Sequence, residues 1–344
     1  MFKYMYLALA ATMGYIYHTT VPSKTKKLGG FKELQAETGR TPAYDETYYP
    51  GSAYADLPFG KTHYNVFGPA DGRRVVWICG ITTPATGAAF VLRALAHHGY
   101  RILTYDYYGR GYSESPGMEY TEDLYVAQLA LLLQQVGWTK ASVLGVSMGG
   151  AVAAAFTAKF PHLVDKMGVI CPAGLMDTLP RITKLLPIPV FGDILGFTLG
   201  RRLMLANTDA RITGDTDKDE VVRLNDKIVR QQLMEHPGFM RAYLSTVRRF
   251  PFTSLHSRFE AAGAGRDVLI VWGTEDTVVP YQCSGALMQV IPHAKLVTMK
   301  GATHAVVHDR CEDVAKAIID FLDNAELSTF PRVSSILQES WIAV

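Results

Sequence analysis

Cysteine is scarce in this sequence, and no pattern of metal ligands is present. The 344 residues include only four cysteines, which are scattered, so a disulfide framework is not expected. No C-x-x-C pair and no cluster of His and Cys at ligand spacing occurs. We therefore expect neither a metal nor an organic cofactor.

The chain also has little excess of charge of either sign. The formal charge is +2, from 34 basic and 32 acidic residues, and no run of Lys and Arg with interleaved aromatics occurs. Nucleic acid is therefore not an expected partner. With 48% hydrophobic and 19% charged residues, the composition is that of a globular protein that can bury a large core, which excludes a disordered chain.

Charged side chains are missing from residues 4–23. The apolar part of this segment, residues 4–17, is shorter than a membrane span, which needs about 20 mostly apolar residues. Residues 1–23 are therefore expected to be either the core of a signal peptide, with a weak cleavage site at residues 8–10, or an anchor that is not cleaved.

The charges that flank this segment favour the anchor. Lys24, Lys26 and Lys27 outnumber Lys3, so the positive-inside rule would leave the domain that follows in the cytosol. We expect membrane attachment through residues 4–23, and secretion after cleavage is the alternative.

The rest of the chain falls into stretches of different pattern. Residues 24–45 are polar, carry Lys and Gly, and are expected to be a linker. Residues 46–172 and 264–325 alternate short β-type runs with helical patterns, which predicts one α/β domain with a mostly parallel central sheet flanked by helices. Residues 173–263 have helical patterning but no clear strand, so we expect an inserted helical cap. The tail, residues 326–344, is unassigned.

Individual elements follow from the same patterns. Strands are predicted at residues 53–57, 62–67, 75–79, 100–105, 141–146, 167–171, 267–272 and 294–299. Helices are predicted at residues 88–98, 120–136, 148–160 and 312–321. A hairpin turn is expected at Phe59 and Gly60, between the first two strands.

The most informative motif is Gly145-Val146-Ser147-Met148-Gly149, which lies between a predicted buried strand and a predicted helix. This G-x-S-x-G pattern is the nucleophile elbow, in which the serine sits on a strained turn and its hydroxyl stands clear of the sheet. Small neighbours are needed because the strand and the helix approach closely there. The strand before it and the helix after it separate this motif from a serine in an ordinary turn. Ser147 is therefore the candidate nucleophile.

A serine hydroxyl becomes a useful nucleophile when a histidine takes its proton and a carboxylate orients that histidine. In chains with this elbow the partners follow in the order serine, acid, histidine, on loops at the carboxyl ends of late strands. Asp276 directly follows the seventh predicted strand, and His304 follows the eighth. They are the candidate acid and base, with Glu275 as the rival acid and His308 as the rival base.

The negative oxygen of a tetrahedral intermediate needs hydrogen-bond donors. We expect one donor to be the backbone N–H of Met148, at the start of the helix after the serine. The other is expected to be the backbone N–H of Ile81, in the loop after the third strand. The candidate residues of the substrate pocket are Gly80 and Thr82 in that loop, and Leu185 and Phe191 in the apolar part of the cap.

With these residues in place, the chain resembles the α/β-hydrolase superfamily over residues 53–323. Residues 106–113, D-Y-Y-G-R-G-Y-S, are similar to the D-x-x-G-x-G-x-S turn of that family. The resemblance implies the α/β-hydrolase fold with an inserted helical cap. It also implies that Ser147, Asp276 and His304 form a catalytic triad.

Two details qualify the resemblance. The sequence has Cys79-Gly80 where most relatives have His-Gly, which affects side-chain hydrogen bonding in the oxyanion loop but not its backbone donor. Within the turn of residues 106–113 we expect structural roles: Arg110 ties loops together, and Asp106 forms the turn.

The function expected from these features is hydrolysis of an ester. An apolar cap over a serine predicts that the pocket takes an acyl chain or another bulky hydrophobic group. The chain is therefore expected to cleave an ester of a hydrophobic acyl group through an acyl-enzyme, as a carboxylesterase or a monoacylglycerol-type lipase does. Its partner would be a small hydrophobic ester or lipid. Relatives that open epoxides or displace halide have Asp at the elbow, so Ser147 disfavours both reactions.

Other functions remain open at this point. The same triad serves carbon–carbon bond hydrolysis, cofactor-free peroxidation and peptide cleavage of the proline-accepting type. An acyltransferase is a further alternative, because His304 and Asp309 fit the H-x4-D pattern of some lipid-handling relatives. The last alternative is a receptor or scaffold without catalysis.

Overall fold

The computed structural model describes residues 12, 17, 21, 25–176, 183, 185–188, 190–206 and 216–324. Most of the N-terminal segment expected at residues 1–23 therefore lies outside the described residues, as does the tail at 326–344. Parts of the expected cap, at residues 177–182 and 207–215, also lie outside them.

The centre of the molecule is a sheet of eight strands. They are β1 (Ser52–Leu57), β2 (Gly60–Phe67), β3 (Arg73–Ile78), β4 (Tyr100–Tyr105), β5 (Ala141–Val146), β6 (Val164–Ile170), β7 (Val268–Gly273) and β8 (Lys295–Met299). Their order across the sheet is β1-β2-β4-β3-β5-β6-β7-β8. β1 and β2 form an antiparallel hairpin, β2 pairs antiparallel with β4, and all other pairs are parallel. The predicted mostly parallel sheet is confirmed.

Burial of the strands explains why their sequences are so apolar. Every residue of β7 is buried, and four of the six residues of β3 are. A strand covered by helices on both faces needs apolar side chains throughout, which produces continuous runs rather than alternation. β8, at the edge of the sheet, has one buried residue. The site-bearing loops therefore extend from a rigid, buried scaffold.

Helices cover the sheet along its length. In the core they are Ala89–His97, Glu122–Gln135, Met148–Lys159, Gln282–Val290, Val306–Asp309 and Cys311–Leu322. Short 3-10 turns lie at Ala85–Ala88 and Pro161–Leu163. The helix Met148–Lys159 packs against both β5 and β6, as expected of the helix after a nucleophile elbow.

Among the described residues between β6 and β7, helices are the only regular secondary structure. They are Phe191–Leu195, Arg201–Ala206, Thr216–Met234, Phe239–Arg249 and His256–Gly263, with a π-helical segment, Gly196–Gly200, joining the first two. Among the described residues, no helix is long and apolar enough to cross a membrane.

The stretch expected to be a linker contains a helix, Phe31–Thr38. Phe31 and Leu34 are buried and pack with Tyr112 of the core and with Ile228 of the helix Thr216–Met234. In addition, the side chain of Gln231 accepts a hydrogen bond from the backbone N–H of residue 43 and donates one to the carbonyl of residue 41. The buried residues Phe31, Leu34 and Tyr44, together with these hydrogen bonds, thus fix the segment across the core and the helix Thr216–Met234.

Candidate active site

Ser147 lies on a strained turn between β5 and the helix Met148–Lys159. Its φ is 56° and its ψ is −122°, a backbone conformation that residues other than glycine rarely adopt. The turn is held on both sides, because the N–H of Ser147 donates to the carbonyl of Ile170 and its carbonyl accepts from the N–H of Ala173. The strain is therefore maintained by the surrounding strands, and it leaves the serine side chain partly exposed.

Close packing explains the glycines of the motif. A Cβ atom added to Gly149 would lie 2.2 Å from the carbonyl oxygen of Ile78. One added to Gly145 would lie 2.2 Å from the carbonyl oxygen of Gly149. Neither contact is possible for a real side chain, so the helix can approach the sheet this closely only with glycine at both positions.

His304 connects the serine to Asp276. Its Nε2 atom is 3.0 Å from the hydroxyl oxygen of Ser147, and its Nδ1 atom is 2.7 Å from Oδ2 of Asp276. Because Nδ1–H donates to the carboxylate, Nε2 has a free lone pair and accepts from the serine hydroxyl. The structure thus brings the three predicted residues into one hydrogen-bonded chain, although they are 129 and 28 positions apart in the sequence.

The Asp276 carboxylate is fixed by its own loop. Its side chain is fully buried, and Oδ1 accepts backbone N–H groups from Val278 and Val279 at 2.9 and 2.8 Å. These bonds leave Oδ2 aimed at His304. A carboxylate with two backbone donors on one oxygen cannot rotate freely, so it orients the imidazole.

Cys171 lies beside this carboxylate and was not singled out as a site residue by sequence reasoning. Its φ is 43°, and burial together with the neighbouring Asp276 carboxylate raises the pKa of the thiol. Ligand atoms of Cys171, Asp276 and His304 lie within 4.8 Å of one another, the spacing of a possible cation site. Two of these atoms are already hydrogen-bonded to each other and the thiol is held protonated, so the arrangement suits hydrogen bonding better than metal ligation.

The rival residues have other positions. Glu275 is exposed, whereas Asp276 points inward. His308 lies further along, on the short helix Val306–Asp309. Asp309 accepts from the backbone N–H and the hydroxyl of Thr303, at 2.9 and 2.6 Å, and so holds the residue before His304 in place.

The expected oxyanion loop lies next to the serine. A Cβ on Gly80 would lie 3.8 Å from Cβ of Ser147, so the backbone that leads to Ile81 runs past the nucleophile. Met148 is the first residue of its helix, and its N–H is one of those with no partner inside the helix. Both expected donors therefore come from backbone close to Ser147.

Side chains of Arg110 and Gln232 bind the expected oxyanion loop. Nε of Arg110 donates to the carbonyl of Ile81 at 3.2 Å, and Nε2 of Gln232 donates to the carbonyl of Thr82 at 2.8 Å. Gln232 is fully buried, and its Oε1 accepts from the N–H of Gly111. This residue links the helix Thr216–Met234 to the loop, a role that an isolated glutamine in a helical pattern does not reveal.

His236 forms a second hydrogen bond to Gly111. Its Nε2 donates to the Gly111 carbonyl at 3.0 Å, and its Nδ1 accepts from the N–H of Gly238. Burial lowers the pKa of His236 to about 4, so the ring is neutral at neutral pH, as this pair of bonds requires.

Asp106 has a structural environment. Its Oδ2 atom accepts from Nδ1–H of His63 at 2.9 Å, from the N–H of Tyr112 at 3.0 Å and from the hydroxyl of Tyr44 at 3.2 Å. Nε2 of His63 also lies 3.1 Å from the hydroxyl of Ser52, but that serine is in the extended strand β1 and has no helix N-terminus behind it. These groups fix the turn at residues 106–113 rather than form a second elbow.

The four expected pocket residues fall into two groups. Gly80 lies against Ser147, and Thr82 is two residues further along the expected oxyanion loop. Leu185 and Phe191 have exposed side chains on the helical insertion. Their contact with substrate stays a prediction.

Known proteins resemble this chain in sequence and in fold. A model of the alpha/beta hydrolase fold family matches residues 80–310. The chain therefore belongs to that family, which is an enzyme family. A 2-hydroxy-6-oxononadienedioate/2-hydroxy-6-oxononatrienedioate hydrolase from Burkholderia vietnamiensis is 27% identical over 274 residues, which are 76% of this chain and 91% of that protein.

Two further similarities show how varied the relatives are. A non-heme chloroperoxidase from Streptomyces lividans is 24% identical over 275 residues, 75% of this chain and 95% of that protein. The crystal structure of an enol-lactonase from Burkholderia xenovorans superimposes with a TM-score of 0.66 at 22% identity, covering 79% of this chain and 100% of that one. The fold and the general class are thus shared, while the reactions differ among relatives.

Proposed function

We propose that this protein is a serine hydrolase in which Ser147, His304 and Asp276 form the catalytic triad. The observation that carries the proposal is the continuous pair of hydrogen bonds, 3.0 Å and 2.7 Å long, that joins the serine hydroxyl to the buried carboxylate through the imidazole. The strained conformation of Ser147 adds to it, because such strain persists where it serves a site.

The residues would act in a defined order. His304 Nε2 takes the proton of Ser147 as its Oγ attacks the substrate carbonyl carbon, and Asp276 stabilises the imidazolium that forms. The N–H groups of Met148 and Ile81 would donate to the oxyanion. His304 then passes the proton to the leaving alkoxide, which departs as an alcohol. Water, deprotonated by the same imidazole, hydrolyses the acyl-enzyme and restores the serine.

Within this class we propose an ester of a hydrophobic acyl group as the substrate. The sequence of the helical insertion is rich in large apolar residues, which supports this choice, since an acyl chain needs apolar surroundings to leave water. A carboxylesterase or a monoacylglycerol-type lipase has this activity.

Carbon–carbon bond hydrolysis is the second candidate, and one observation favours it. The 27% identical Burkholderia vietnamiensis relative is named as a hydrolase of a 2-hydroxy-6-oxo dienedioate. The acid–base roles of the three residues would be shared, so the pocket alone would decide between the two reactions.

Ser147→Ala tests the class, and a substrate panel tests the reaction. The variant should lose turnover of p-nitrophenyl esters and labelling by a fluorophosphonate probe, with circular dichroism unchanged. A panel of esters of graded acyl length, assayed beside a 2-hydroxy-6-oxo dienoate, then identifies the preferred reaction. Full esterase activity in purified Ser147→Ala protein would refute the proposed nucleophile.

A further inference from the structure

An unusual surface lies on the helical insertion. Ten large apolar side chains are exposed among the described residues, and six of them lie between residues 185 and 203. Their exposed fractions are between 38% and 45%. We call this group the cap face; it consists of Leu185, Ile188, Val190, Phe191, Leu199 and Leu203. Such clustering is rare on a soluble surface and marks an interaction site.

The spacing of these residues along the chain places three of them on one side of a helical stretch. Phe191, Leu199 and Leu203 are separated by multiples of four residues, and so lie on one side of the helical stretch from residue 191 to residue 206. The opposite side is packed, because Phe197 is buried in a cluster with Leu244. The stretch is therefore amphipathic, with an apolar side directed outward.

Among the described residues from 185 to 206, the charged side chains that reach the surface are both arginines. Arg201 and Arg202 lie beside Leu203, and Arg202 is exposed. The single carboxylate among the described residues from 185 to 206, Asp193, is buried and paired with Arg248. An apolar surface that carries an exposed arginine in its own stretch of sequence fits the interface of a bilayer that contains anionic lipid.

The N-terminal segment reaches the same part of the molecule. Val21 is buried in a cluster with Phe197 and Leu244, and Tyr17 packs against that cluster. Tyr17 and Val21 therefore contact the packed side of the helical stretch and leave the cap face uncovered.

We propose that the cap face is a membrane-docking surface that inserts into the headgroup region of a bilayer containing anionic phospholipid. The surface binds lipid in its own right. The proposal does not depend on the reaction that the active site performs.

A fluorescent probe on the cap face tests this directly. All four native cysteines are buried, so Leu199→Cys in the full-length chain can be labelled selectively with an environment-sensitive dye. The matched control is Phe59→Cys, at an exposed apolar position on the turn between β1 and β2. Phosphatidylcholine vesicles with about one third phosphatidylserine should raise the emission at position 199 severalfold, and brominated lipids should quench it. The probe at position 59 should not respond.

Each other outcome overturns the proposal. No vesicle binding, or binding without a response at position 199, would mean that the cap face does not meet lipid. A probe that is already shielded before lipid is added would mean that the N-terminal segment covers the surface. Emission that rises with protein concentration alone would identify a second copy of the chain as the occupant.

Charge variants of the full-length chain provide an independent measurement. Leu199→Glu combined with Leu203→Glu should lower the vesicle partition coefficient about tenfold or more, and Arg202→Gln about fivefold. Phe59→Glu is the matched control and should leave partition unchanged. Circular dichroism and turnover of a water-soluble ester check that the variants are folded. Equal partition of the double variant and the unaltered chain would contradict a role of the cap face.

Discussion

Replacing Asp276 by asparagine removes one charge from the site and little else. The Oδ1 atom of Asp276 accepts two backbone N–H groups, and an asparagine would keep these bonds with its own oxygen. A flipped amide would leave both donors unpaired, at a cost of about 1–3 kcal/mol for each. The new NH₂ group therefore points at Nδ1 of His304.

This orientation selects the wrong tautomer of His304. Its Nδ1 atom has to accept from the amide, so the proton moves to Nε2, which then donates to Ser147 instead of accepting from it. Without a base the serine loses its activation, and the expected fall in kcat is about 10⁴-fold, or ~5.5 kcal/mol in the barrier. KM should change little, because neither residue binds the body of the substrate.

The assay is turnover of a p-nitrophenyl ester by Asp276→Asn and by Glu275→Gln, the exposed neighbour. Glu275→Gln should retain full activity, and both variants should unfold in urea with nearly unchanged m-values. A loss of less than tenfold in folded Asp276→Asn protein, or a comparable loss in Glu275→Gln, would refute the assignment of Asp276 as the orienting acid.

Three further predictions follow from the contacts around the site. Gln232→Leu should lower kcat about tenfold with a smaller change in KM, because it removes the hydrogen bond to the Thr82 carbonyl of the expected oxyanion loop. Gln232→Glu, which also lacks this donor, should lose activity as well, whereas Gln231→Leu should keep full activity. An unchanged kcat in Gln232→Leu would contradict this role. Gly149→Ala should prevent soluble folding or lower the melting temperature strongly, since its Cβ would overlap the Ile78 carbonyl; a thermal melt like that of the unaltered protein would contradict the packing. Because the pKa of His236 is lowered to about 4, the unfolded chain takes up a proton at this residue before the folded chain does as the pH falls. The contribution of His236 to the free energy of unfolding is therefore complete above about pH 6.5 and declines by about 3 kcal/mol towards pH 4. Urea unfolding of His236→Gln should lack this part of the pH dependence.

Sequence patterns predicted the scaffold well where burial is complete on both sides. The bounds of β4 and β5 agree with the predicted strands residue for residue, because each has a clear boundary in the sequence: Gly99 directly precedes β4, and Ser147 of the elbow directly follows β5. The positions of Ser147, Asp276 and His304 could also be predicted, since each directly follows a strand and the ends of parallel strands meet at one edge. The confirmed fold class rests on the same regularity.

Other features depend on contacts that no local pattern records. The helix Phe31–Thr38 has only two buried apolar side chains, too few to stand out from a polar stretch, and it is stabilised by packing rather than by propensity. Gln232 and His236 belong to no motif, and their roles arise from the docking of one helix on a loop more than a hundred positions away. Cys171 reaches Asp276 only because β6 and β7 are neighbours in the sheet.

The segment around Phe31 also limits how the molecule can admit a ligand. It crosses from the turn at Tyr112 to Ile228, and it is tied to Gln231 by two hydrogen bonds. A rigid-body rotation of the helix Thr216–Met234 away from the core would break these hydrogen bonds and expose the aromatic rings of this segment to water. A ligand therefore has to reach Ser147 through side-chain rearrangement or through movement of parts of the insertion that this segment does not contact.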